Sequence, residues 1–119
     1  MERLYSHPEE MSKRDFYKMT SNPGNISLKD SYGLVITVDS VVIFSDTQMS
    51  KDGVEQEGIV TAVRDADGTI YCTNSPYFRR DLEKIMRTVY DPADPDPIQV
   101  EVIEGQSKSG RTFTGCRLI

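Results

Sequence analysis

Residues 34–46, LVITVDSVVIFSD, run for thirteen positions without a glycine or a proline and are rich in β-branched side chains. Such side chains suit a pleated strand better than a helix. A strand usually spans roughly three to ten residues, so this run must bend, and the polar pair Asp39-Ser40 marks the place. A long bent strand constrains the rest of the chain to wrap around it.

The segments that follow fit that role. Residues 47–57, TQMSKDGVEQE, are polar with one glycine and read as a loop. Residues 58–73, GIVTAVRDADGTIYCT, read as strand, tight turn and strand, with Asp67-Gly68 as the hairpin signal. Ser75-Pro76 then opens a helix, because serine caps and proline suits the first helical position. Phe78, Leu82, Ile85, Met86 and Val89 give that helix one apolar face, with Arg79, Glu83, Lys84 and Arg87 opposite. DPADPDP (91–97) is a connector, since its prolines cannot sit inside a helix. IQVEVIE (98–104) alternates as a strand, GQSKSGR is a glycine-rich loop, and RTFTGCRLI (111–119) is a last strand.

Upstream, ISLKDSYG (26–33) suits one helical turn with Ser27 as cap and Gly33 as terminator. Residues 1–25 show no clean period and end in the turn cluster Thr20 to Asn25. They read as an arm, which Met11, Phe16, Tyr17 and Met19 could dock on its own barrel or on a partner subunit. Two regions result: an N-terminal arm (1–25) and a folded domain (26–119). Five strands, the first of them bent, with one helix between the third and fourth, predict the five-stranded OB-fold barrel, all-β apart from that helix. An open α+β sheet and an SH3-like barrel are the alternatives.

A chain of 119 residues is one domain's worth, and neither a disordered nor a membrane composition fits its 37% apolar and 28% charged residues. No apolar run reaches the roughly 20 residues of a membrane span, and the first residues lack a signal peptide's apolar stretch. A cytosolic protein is expected, with Cys72 and Cys116 as reduced thiols. The net charge of −5 is uneven: residues 1–33 are neutral, 34–104 carry −8, and 105–119 carry +3. That balance disfavours tight non-specific binding to polyanions but leaves room for a local basic strip.

Several chemistries are poorly supplied. Gly105 to Thr112 approximates a phosphate-binding loop, but a strand follows where a helix N-terminus is needed. Asp91, Asp94 and Asp96 are interleaved with prolines and read as a solvated linker rather than a metal site. His7 has no ordered partner in view, and both cysteines fall on predicted inward faces beside Ile70 and Leu118. No catalytic residue, metal or cofactor is expected.

One chemistry is well supplied. In the last strand, Arg111, Phe113 and Arg117 share a face. If Ile70 and Cys72 point inward in the third strand, Tyr71 points out. Aromatic rings stack single-stranded bases while cations hold the phosphates. On an OB-fold the binding face is strands two and three with the flanking loops. Arg64 ends the second strand, Lys51 lies in one loop and Lys108 in the other. An exposed aromatic beside an arginine can equally be a cross-strand structural pair.

NISLKDSYG, GTIYCTNSPYFRRDLEKIM and PIQVEVIEGQSKSGRTFTGCRLI resemble the single-stranded DNA-binding proteins of tailed phages of Gram-positive bacteria, above all those of lactococcal siphophages. The resemblance covers about residues 25–119. It implies an OB-fold that binds single-stranded DNA with little sequence preference, often as a dimer, in phage replication and recombination beside a phage recombinase. Tyr71, Lys108, Arg111 and Phe113 are the positions it carries over.

The resulting expectation is a non-enzymatic single-stranded DNA-binding protein in the cytoplasm of the infected host, with no membrane contact. Tyr71 and Phe113 would stack bases; Lys108, Arg111, Arg117, Arg64 and Lys51 would meet phosphate; Phe16 and Tyr17 would form a homodimer contact. The rival is an acidic barrel that binds a host protein as an inhibitor or DNA mimic. A duplex binder fits less well, because no helix has the basic face to read a major groove.

Overall fold

The structure, a computed structural model, describes residues 1–49 and 52–119. In chain order these form β1 (Glu2–His7), α1 (Lys13–Ser21), β2 (Ile26–Ser27), β3 (Val35–Met49), β4 (Glu55–Asp65), β5 (Ile70–Thr73), α2 (Pro76–Val89), β6 (Gln99–Gln106) and β7 (Thr112–Leu118).

The long run bends as its sequence requires. Val35–Thr37 of β3 pair antiparallel with β6, and from Val38 onward β3 pairs with β4. The register slips between Val38 and Ser40, leaving Asp39 in a bulge. A bulge adds one residue to one strand, which kinks it and increases its twist. β3 therefore belongs to both halves of a sheet ordered β2-β5-β4-β3-β6-β7. β1 runs antiparallel along β3, from Glu2 opposite Ser45 to His7 opposite Val41.

The sheet curls into a half-barrel. Among the described residues β5 and β7 share no ladder, so the barrel stays open along a seam there. At this seam the Ser75 hydroxyl donates to the Thr114 carbonyl at 2.5 Å, tying the start of α2 to β7.

Two apolar clusters lie on opposite faces of the curled sheet. The inner one gathers Val41, Ile43, Val63, Val100 and Val102 around Phe78, Leu82 and Met86 of α2. Burying each of those helix side chains stabilises the fold by about 1.5–3 kcal/mol. Ser75 caps the helix by accepting from the Phe78 N–H at 3.3 Å. The outer cluster is smaller: Met19 of α1 packs on Val42, Phe44, Ala62 and Ile70.

The fold is thus OB-like but departs from the five-stranded expectation. It has seven strands and two helices over the described residues, α1 after the first strand and α2 after the fifth. The stretch expected as an arm builds β1 and α1 on the sheet. Residues 26–33 form no helix. Ile26 and Ser27 pair in parallel with Tyr71 and Cys72, and two turns then lead to Gly33 at φ +89°. Much of the stretch expected as a loop at 47–57 continues the β3–β4 ladder, as Thr47 opposite Glu57 shows. A hairpin arm that projects beyond the core needs no apolar alternation to stay paired, so its polar sequence hides it.

Candidate nucleic-acid interface

The β6–β7 turn presents the cations of the basic C-terminal segment. Ser107 donates its N–H to the Arg111 carbonyl and Gly110 its N–H to the Ser107 carbonyl, both at 2.9 Å. Gly110 sits at φ +80°, where a side chain would strain the backbone. Lys108 and Arg111 are exposed, and neither has an anionic partner among the described residues. Arg117, further along β7, is committed to Glu101, which accepts from its Nε at 2.7 Å. Lys51 lies outside the described residues.

Phe113 is half-buried rather than free between two arginines. Its ring lies on Gly105 across the β6–β7 ladder, so closely that any Cβ at Gly105 would collide with it. Its ring is also stacked with Tyr77, centroids 3.9 Å apart and planes 21° from parallel. The Arg80 guanidinium lies 5.5 Å from the Tyr77 centroid. Gly105, Phe113, Tyr77 and Arg80 thus form an ordered aromatic-cation assembly beside the β6–β7 turn. Tyr77 escapes the sequence because the spacing of α2 speaks only for its buried face.

The start of α2 adds to this region. Its first turn holds no acid, and Arg79 and Arg80 follow directly. Cations near a helix N-terminus oppose the macrodipole; Arg80 is offset by Asp81 at 3.8 Å, whereas Arg79 has no ion-pair partner among the described residues. The seam next to it is a groove of about 390 Å³ whose walls include Lys29, Val60, Thr73, Asn74, Ser75 and Thr114.

Tyr71 faces the other way from the sequence expectation. It pairs with Val63 and packs against the inner cluster, while Ile70 and Cys72 lie on the outer face under α1. Alternation shows which residues share a face. It does not say which face is the interior when both are covered. Partial burial, and then the carboxylates of Asp67 and Asp65, push the Tyr71 hydroxyl pKa up.

Arg64 is also engaged within the fold. Its Nε donates to Asp39 at 2.8 Å, one terminal nitrogen to Asp15 at 3.2 Å and the other to Ser40 Oγ at 2.9 Å. This joins α1, the β3 bulge and β4. The Asp15 carboxyl is held below the usual carboxylate range, chiefly by its bond from Arg64. Asp39 is lowered first by the Ser40 hydroxyl and then by Arg64, against its desolvation. Cys116 is buried and its thiol is pushed up to about 12, first by desolvation and then by Asp81, so it is no nucleophile at neutral pH. Phe16 packs half-buried on the outer cluster with the Arg3 guanidinium 4.6 Å above its ring, whereas Tyr17 is 61% exposed. Among the described residues no helix is long and apolar enough to cross a membrane.

The fold and this surface define a class: a mostly β, OB-like protein carrying a stacked aromatic pair beside Arg80, which also lies 3.8 Å from Asp81, and beside the unpaired cations Lys108 and Arg111. Residues 12–118 match the profile of the Phi29-type family described as phage single-stranded DNA-binding protein. The chain belongs to that family, whose members bind DNA and are not catalysts. No curated protein and no solved structure matches the chain.

Proposed function

We propose that this chain coats single-stranded DNA with little sequence preference during phage replication and recombination in the host cytoplasm. The observation that carries the proposed geometry is the Tyr77–Phe113 stack beside Arg80, Lys108 and Arg111. A base stacks on the Tyr77 platform, Arg80 turns to a phosphate, and the strand follows the seam toward Lys29. The sequence expectation is thereby revised: Phe113 supports Tyr77 instead of stacking a base itself, and Arg117 is held by Glu101. Arg64 leaves the set because two carboxylates already hold it. Tyr71 gives way to Tyr77, because its ring packs on the core and its hydroxyl faces acids that repel phosphate.

Fluorescence anisotropy with labelled oligo-dT of about 30 nucleotides, against a matched duplex and at two salt concentrations, tests this reading. A stacked base contributes roughly 1–3 kcal/mol, so Tyr77→Ala weakens binding by roughly five- to 150-fold, and Tyr77→Phe leaves it nearly unchanged. Replacing Lys108 and Arg111 by glutamine lowers the salt slope by about 0.7 for each phosphate that is no longer neutralised. Wild-type affinity in Tyr77→Ala would refute the stacking site, and equal affinity for duplex would refute the single-strand preference.

A further inference from the structure

The face that an OB-like binder would offer to DNA, the outside of β4 and β5, is partly roofed in this chain. Met19 of α1 is buried on Ala62 of β4 and Ile70 of β5, with Phe16 packed beside it. Over Ala62 and Ile70, a bound strand therefore meets the outer side of α1, while the groove beside Val60 and Thr73 stays open.

That outer side has a distinct composition. With 100° per residue, Lys13, Arg14, Tyr17 and Lys18 fall on one side of α1, and Asp15, Phe16 and Met19 on the other. Lys13, Arg14, Tyr17 and Lys18, with Asn22, line one shallow concavity. The helix has one acid, Asp15, and it is turned inward onto Arg64 at 3.2 Å. Three cations therefore surround one exposed tyrosine, and none has an ion-pair partner among the described residues. Lys13 and Arg14 also occupy the first helical turn, where positive charge opposes the macrodipole. The fold does not need them there, and in a body of net charge −5 they stand out as a local positive field.

We infer that the exposed face of α1 is a second contact site for the single strand, with Tyr17 stacking a base and Lys13, Arg14 and Lys18 meeting its phosphates. This rests on the reading of the chain as a single-strand binder. Charge selects this occupant over a second copy of the chain. Two α1 faces brought together around Tyr17 would oppose three cations with three more, which costs free energy that a polyanion would instead supply. Lys18 also borders the hollow toward the β4–β5 hairpin, where Asp39 and Asp65 line the wall, so the positive patch ends there.

The test uses the full chain with oligo-dT of about 8 and about 30 nucleotides, lengths within and beyond one OB-like footprint. Tyr17→Ala and the triple variant Lys13→Gln, Arg14→Gln, Lys18→Gln lie on exposed positions, and unchanged circular dichroism checks their folding. On the long oligomer, Tyr17→Ala should bind about tenfold more weakly, and the triple variant should lose about 2 from its salt slope. The short oligomer should bind almost as to wild type. An oligomer carrying 4-thiothymidine should crosslink to the tryptic peptide Asp15–Lys18. Wild-type binding of both lengths by both variants, without that crosslink, would overturn the inference while leaving single-strand binding intact. Loss of dimerisation in Tyr17→Ala at unchanged DNA affinity would overturn it in favour of a second copy. A wild-type protein that binds neither length would overturn the underlying reading, and this site with it.

Discussion

The two helices begin alike and are held in opposite ways. Ser12 accepts from the Asp15 N–H at 3.1 Å and Ser75 from the Phe78 N–H at 3.3 Å. From there α2 drives Phe78, Leu82 and Met86 into the half-barrel, all essentially inaccessible. α1 buries Met19 and otherwise rests on Phe16 and on the Arg64–Asp15 bridge. One helix is part of the core; the other is clipped on by a methionine and a charge. Hydrophobic burial is neither screened by dilute salt nor titrated by mild acid, and an ion pair is both.

The widest separation should come from truncating the buried anchors. Phe78→Ala should cost about 3–5 kcal/mol, visible as a large fall in the urea midpoint of the whole chain. Met19→Ala should cost about 2 kcal/mol, and amide exchange should locate the loss in α1 rather than α2. Equal costs would erase the contrast.

The caps sharpen it next. Ser12→Ala should cost about 0.5–1 kcal/mol. Ser75→Ala should cost about 1–2 kcal/mol, because its hydroxyl also closes the seam through Thr114. Thermal melts of the two variants compare them directly.

Acid gives the smallest effect and the cleanest sign. Asp15 and Asp39 have folded-state pKa values below their unfolded ones, near 3.9. Their contribution is present above that unfolded value and is lost as pH falls through the lowered folded one. Exchange protection in α1 should therefore fall before that of α2 as pH drops below about 4. Arg64→Gln should abolish this difference.

The same contrast explains what the sequence discloses. α2 is readable because its cap, its proline and its apolar spacing all agree. The bend in β3 is readable because so long a run of strand formers has one polar interruption, and the bulge falls there. α1 is not, because nine residues that bury one methionine give little periodic signal. Its one local sign is Ser12 followed three residues later by Asp15, a capping pattern. The hidden helix also misleads about the site. Without a roof over the outer face, Ile70 and Cys72 read as interior and Tyr71 as exposed. The basic loop with Lys108 and Arg111 is legible from charge alone. Tyr77 is not, since only the three-dimensional approach of α2 to β7 sets it on Phe113.

The sharing of β3 between the two halves of the sheet also bears on how the chain assembles. The β3–β4 and β6–β7 ladders join neighbours in sequence and can close early. The union of the halves runs through Val35–Thr37 against Gln99–Glu101, more than sixty residues apart. Loop-closure entropy makes such distant pairing the slow step. Substitutions at Ile36 or Val100 should therefore slow folding, while those in the far β3–β4 arm should chiefly speed unfolding.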